Sequence, residues 1–139
     1  ATDYDEEAVD TMYLNNRNNP KLIPLIYDFI RPNGRILDEP IQDRIKSDIV
    51  MALALTHHLI LSQNIDIDYI FKSMRALTTK YIIIEFMPLG LYDGKKHVTP
   101  KVPPYYTSDW FRDNFEKYFF LIRDEQLEVN RHLFVGKAK

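Results

Sequence analysis

Two apolar runs bracket a helical segment in this chain, and that pattern limits the folds open to it. The first run, Ile-Val-Met-Ala-Leu-Ala-Leu, lies between Asp48 and Leu55, and the second is Lys80-Tyr-Ile-Ile-Ile-Glu-Phe86. Between them Ile67, Ile70, Phe71, Met74 and Leu77 recur at helical spacing, with Asp66 placed to cap the helix and Thr78 and Thr79 to end it. The β-branched and aromatic content of 80–86 predicts a strand. The first run suits a strand covered on both faces of a parallel sheet, with a helix as the competing reading because its alanines and leucines allow one. Strand, helix and strand in this order predict a right-handed parallel crossover.

The flanking segments extend the alternation. Asp3 or Asp5 can cap a helix reaching about Asn16, with Ala8, Val9, Met12 and Tyr13 on one face and Glu6 and Glu7 in the dipole-favoured first turn. Leu22–Tyr27 predicts a short buried strand, followed by Asp28. Pro32-Asn33-Gly34 is a turn signal, and a further helical stretch is expected around Ile41–Lys46. His57-His58 precede a short apolar turn or helix at Leu59–Leu61. Met87–Pro104, rich in Pro and Gly, is long for a plain connection and predicts a functional or lid segment. Thr107 or Ser108 then caps an aromatic helix carrying Trp110, Phe111 and Phe115. Tyr118–Arg123 and Arg131–Lys137 predict a closing hairpin, which puts one antiparallel strand on an otherwise parallel sheet. The fold class is α/β, over a single domain spanning 1–139.

Composition removes several functions. A net charge of -2 gives no broad electrostatic footprint for nucleic acid. The chain has no cysteine, so disulfides and thiolate metal sites are excluded. No run is apolar enough to span a membrane and no signal peptide is recognisable, which makes the cytoplasm the expected compartment. The four glycines, at 34, 90, 94 and 136, form no G-x-G-x-x-G pattern.

Several segments together resemble the class I methyltransferases that use S-adenosylmethionine, from the end of that family's second strand onward. Ala1-Thr2-Asp3-Tyr4-Asp5-Glu6-Glu7-Ala8-Val9 is similar to the end of the second strand and its helix. Pro24-Leu25-Ile26-Tyr27-Asp28 is similar to the third strand with its terminal acid, and Ser47–Leu59, ending in Leu-Thr-His-His-Leu, to the fourth. Ile83-Ile84-Glu85-Phe86-Met87-Pro88 followed by Asp93 resembles the fifth strand of a subfamily that includes nodulation-associated methyltransferases. The resemblance implies a Rossmann-like sheet and S-adenosylmethionine as cofactor. It implies that Asp3 holds the ribose diol, Tyr4 sits beside the adenine, and Asp28 accepts from the adenine amino group. A carboxylate can accept from both hydroxyls of a diol.

The family's first strand and glycine-rich loop have no counterpart in the sequence. That predicts a fragment, the C-terminal part of a methyltransferase domain, with impaired cofactor binding and little activity by itself. It also predicts exposed sheet edges that invite pairing with another chain, such as a second copy.

Each candidate residue has a structural role beside the functional one. Asp3 competes with Asp5 for the helix cap, and Asp28 is also a plain strand-ending acid. His57 and His58, taken as neighbours on an extended segment, point to opposite sides and make a poor chelate, so no metal site is expected. One of them instead lines the methyl-transfer pocket as a base, or orders the strand end. Glu85 faces a pocket or pairs with Arg75, Lys80 or Arg112. Tyr105, Tyr106 and Trp110 cap a substrate pocket or pack the core. Lys95, Lys96, His97 and Lys101 meet an anionic substrate or are simply solvated.

Methyl transfer from a sulfonium is an in-line displacement in which alignment supplies most of the rate. The methyl acceptor is not readable from these residues; no Asn/Asp-Pro-Pro-aromatic motif follows the fourth strand, which argues against adenine or glutamine. The rival function is a non-catalytic binding or structural module that keeps the fold. A flavodoxin-like or receiver-type domain is a further alternative, suggested by Asp3, Asp5 and Glu6 and opposed by the terminal hairpin.

Overall fold

The computed structural model describes residues 1–32, 35–36, 39–92 and 101–139, which form two compact units, Ala1–Arg44 and Ile45–Lys139. The proposed turn residues Asn33 and Gly34, and Asp93, Lys95, Lys96 and His97 of the long loop, lie outside the described residues.

In the first unit, β1 (Thr2–Asp3) pairs in parallel with β2 (Leu25–Ile26), with Thr2 opposite Leu25 and Asp3 opposite Ile26. Between them runs α1 (Glu6–Asn16). Asp5 is its cap, its carboxylate accepting from the N–H groups of Glu7 and Ala8. Of the four residues expected on its inner face only Val9 is buried, while Tyr13 is 56% exposed. β2 is likewise open: Leu25 and Ile26 are exposed, and the burial expected of 22–27 is confined to Tyr27. A short antiparallel pair, β3 (Arg35–Ile36) with β4 (Glu39–Pro40), leads into α2 (Ile41–Arg44).

The second unit is built on a four-stranded sheet. Its strands are β5 (Ser47–Ala52), β6 (Thr78–Phe86), β7 (Phe119–Glu128) and β8 (Arg131–Ala138), in the spatial order β5-β6-β8-β7. β5 runs parallel to β6, and β8 runs antiparallel to both β6 and β7. β8 is therefore the single reversed strand among the four, the arrangement expected of a closing hairpin. The crossover from β5 to β6 passes through a π-helical turn (His58–Ser62) and α3 (Ile67–Leu77). Asp66 caps α3, accepting from the N–H groups of Asp68 and Tyr69. After the long loop comes α4 (Ser108–Phe115), capped by Thr107, whose hydroxyl accepts from Trp110 N–H.

The inward residues of α3 and α4 make the core with alternate residues of the sheet. Ile70, Phe71, Phe111 and Phe115 are fully buried, as are Ile82, Ile84, Phe86, Phe119 and Phe134. Phe71 meets Phe111 and Phe115 edge-on, at 5.1 and 5.8 Å between ring centres. Such aromatic pairs add about 1 kcal/mol each beyond their buried area. Gly136 belongs to this packing, because a Cβ built there would lie 2.4 Å from Phe115 Cζ.

β5 is a strand and not a helix, but it is not covered on both faces. Ile49, Met51 and Leu53 are about half exposed or more, while Ala52 is buried. The cause is the pleat, since these alternate residues share one face of β5 while the helices pack against the opposite face, where Ala52 points. Across that edge pair, Lys80 Nζ and the Thr79 hydroxyl both bond Asp48. No helix among the described residues is long and apolar enough to cross a membrane.

Candidate functional site

In the first unit the two acids expected to hold a nucleoside stand at the carboxyl ends of neighbouring parallel strands. Asp3 ends β1, and its carbonyl accepts from Tyr27 N–H at 2.8 Å, one residue before Asp28. Ligands of open α/β sheets bind at such strand ends. Both side chains already have local work. Asp3 Oδ1 accepts from Asp5 N–H at 3.0 Å, and Asp28 Oδ1 accepts from the N–H groups of Ile30 and Arg31. Those bonds fix each carboxylate and use one oxygen of its two. Tyr4 is 71% exposed.

In the second unit the carboxyl ends of β5 and β6 carry the remaining candidates. The chain turns sharply after β5: Ala54 takes a left-handed conformation, φ 49°, which a residue with a Cβ adopts at a cost. Glu85, 5% exposed, holds this turn. Its Oε2 accepts from Ala54 N–H at 2.8 Å, its backbone carbonyl accepts from the Thr56 hydroxyl at 2.9 Å, and its Oε1 accepts from Arg131 at 3.2 Å. None of the expected cations pairs with it. Arg75 bonds the carbonyls of Thr78 and Lys139, Lys80 bonds Asp48, and Arg112 bonds Asp109 and Asp124. Both Glu85 oxygens are thus engaged in shaping the turn.

His57 and His58 sit on that turn in helical and not extended backbone, because the chain has already begun to coil at Leu55. Their rings therefore lie side by side, 4.1 Å between centres, and do not point to opposite faces. His57 is 6% exposed, and among the described residues its Nδ1 has no hydrogen-bond partner. Burial, with the neighbouring His58 adding to it, pushes its pKa from 6.5 down to about 4. At neutral pH the ring is uncharged, and its burial disfavours taking up a proton.

Tyr105 and Tyr106 separate. Tyr106 is buried against Phe86 at 4.7 Å, and burial raises its hydroxyl pKa. Tyr105 is 53% exposed and, with Trp110, walls a groove of about 540 Å³. Ile60 of the π-helical turn, Asp66 and Asp68 at the start of α3, and Lys117 also line it. That volume is in the range of small-molecule sites. Ala54, Thr56 and Arg131 were not singled out in the sequence. An alanine in left-handed backbone carries no sequence signal, and Arg131 reaches Glu85 only through the register of the hairpin.

Neither a family model nor a curated protein matches the sequence. Solved structures do match in shape. PH0226 from Pyrococcus horikoshii OT3 superposes with a TM-score of 0.68 at 14% identity, over 99% of this chain and 70% of that one. Magnesium protoporphyrin IX methyltransferase (ChlM) from Synechocystis PCC 6803, with bound SAM, gives 0.63 at 11% identity, over 99% of this chain and 58% of that one. N-methyltransferase NodS from Bradyrhizobium japonicum WM9 gives 0.62 at 6% identity, over 99% and 71%. The chain has the Rossmann-like methyltransferase fold. It spans little more than half the length of ChlM.

Proposed function

We propose that the chain is the C-terminal part of a methyltransferase domain that takes S-adenosylmethionine as methyl donor. The observation that carries this reading is the pair of acids at adjacent parallel strand ends, within a fold shared with SAM-bound ChlM. On this reading Asp3 accepts from the ribose hydroxyls, Asp28 accepts from the adenine amino group, and Tyr4 lies along the adenine. Among the described residues no strand pairs with the outer edge of β5, which supports a further strand there, and S-adenosylmethionine binds weakly until that strand is supplied.

The chemistry assigned to the second unit follows from its turn. His58, exposed and 4.1 Å between ring centres from the buried His57, receives the proton lost by a hydroxyl or amine acceptor as the methyl is transferred, while the lowered pKa of His57 keeps its own ring neutral. Glu85 holds the backbone that carries them. Tyr105 and Trp110 form the wall for the acceptor, whose identity is left open. No membrane or nucleic-acid partner and no metal is part of this reading, and the cytoplasm is the compartment proposed.

The test is calorimetric titration of S-adenosylhomocysteine into the protein carrying these residues in their native sequence context. Saturable binding that weakens at least about tenfold in Asp3→Ala is expected, since one diol contact to a charged group is worth roughly 1.5–3 kcal/mol. Absence of binding by folded wild-type protein would leave a binding or structural module in place of an enzyme.

A further inference from the structure

A Ser, a His and an Asp meet at the start of α4, where His132 lies opposite Phe86 of β6. Ser108 is the first residue of α4, and its Oγ lies 3.2 Å from His132 Nδ1. His132 Nε2 is hydrogen-bonded to Asp124 Oδ1. An ionised carboxylate only accepts, so Nε2 carries the ring proton, and Nδ1 is left to accept from the Ser108 hydroxyl. Arg112 bonds Asp124 Oδ2, which holds the carboxylate in place and leaves its other oxygen to the ring.

The support behind these groups is rigid. Asp124 and His132 project from the two strands of the hairpin, where Asp124 pairs with Phe134 and Gln126 with His132, so they are diagonal neighbours. The His132 ring stacks on Phe134, 4.8 Å between centres and tilted by only 22°. The His132 and Asp124 side chains are 14% and 16% exposed, so they are largely desolvated and still reachable. The helix start beside Ser108 offers N–H groups that have no partner within the helix.

We propose that Ser108, His132 and Asp124 act as nucleophile, base and orienting acid, and that Ser108 is reactive toward acyl esters. Ser108 Oγ adds to the ester carbonyl carbon while its proton passes to His132 Nδ1, and the carbonyl π pair moves onto oxygen. Collapse breaks the bond to the leaving alkoxide, which takes the proton from Nδ1 and departs as the alcohol. Water then adds to the acyl-serine by the same proton route, releasing the carboxylic acid and restoring Ser108. The ring offers Nδ1 to the serine and Nε2 to the acid, the reverse of the serine-protease arrangement; a neutral imidazole accepts a proton at either nitrogen.

A fluorophosphonate probe tests this, since it phosphonylates an activated serine with loss of fluoride. Intact-mass analysis of the folded chain should show one adduct, mapping to Ser108. Ser108→Ala should abolish it, and His132→Gln should slow its formation roughly 100-fold or more. In the wild type Ser108 should be labelled ahead of every other serine of the chain, a readout that does not depend on any variant folding. No adduct on folded wild-type chain, an adduct that survives Ser108→Ala, or a rate indifferent to His132→Gln would overturn the proposal.

Discussion

Acid should destabilise this protein through His57. The ring is 6% exposed and its pKa is held at about 4, against 6.5 in an unfolded chain. Above 6.5 both states keep the ring neutral, and His57 contributes no pH dependence. Between 6.5 and about 4 the unfolded chain binds a proton that the folded chain refuses, so stability falls as pH falls. Below about 4 both states are protonated and the loss levels off. The 2.5-unit difference corresponds to roughly 3 kcal/mol at that plateau, of which roughly 2 kcal/mol is reached by pH 5. Other groups also titrate in this range, so the quantity to measure is the difference between wild type and His57→Gln. Urea unfolding at pH 8, 6 and 5 should show wild type losing about 2 kcal/mol more than the variant. Parallel stability curves for the two proteins would refute the reasoning.

Three further outcomes follow from the same geometry. Glu85→Ala leaves the part-buried Ala54 N–H without its acceptor and should cost about 1–2 kcal/mol by chemical denaturation, while Glu85→Gln, whose amide oxygen still accepts, should cost clearly less. Gly136→Ala drives a methyl into the Phe115 ring and should lower stability by roughly 1–3 kcal/mol, read as a lower melting temperature. Ala54→Gly relieves the left-handed backbone and should be neutral or stabilising by up to about 1 kcal/mol in the same assay.

Much of the second unit was legible because its signals are local. Asp66, followed by Ile67, Ile70, Phe71 and Met74, states both the start of α3 and its buried face, and the structure reproduces both. The β-branched run in β6 and the hairpin spacing of β7 and β8 are of the same kind. What failed depends on position in the assembled sheet. Ile49, Met51 and Leu53 look like part of a doubly covered strand because they are apolar, yet they lie on the face of β5 that the helices leave open. The Glu85 partner was sought among cations near in sequence or on the adjacent helix, whereas the hairpin register brings up Arg131, 46 residues away. The histidine pair was read as extended because the coil beginning at Leu55 leaves no mark in an unbroken apolar run. Among the proposed site residues, Asp3 and Asp28 came from the resemblance of their segments to methyltransferase strand ends, and the parallel β1–β2 register puts them at neighbouring strand ends.

A crystal structure with S-adenosylhomocysteine bound tests the central claim most directly. The account predicts density with the ribose hydroxyls on the Asp3 carboxylate and the adenine amino group on Asp28. Density at any other place, with Asp3 and Asp28 still occupied only by their own backbone contacts, would contradict it.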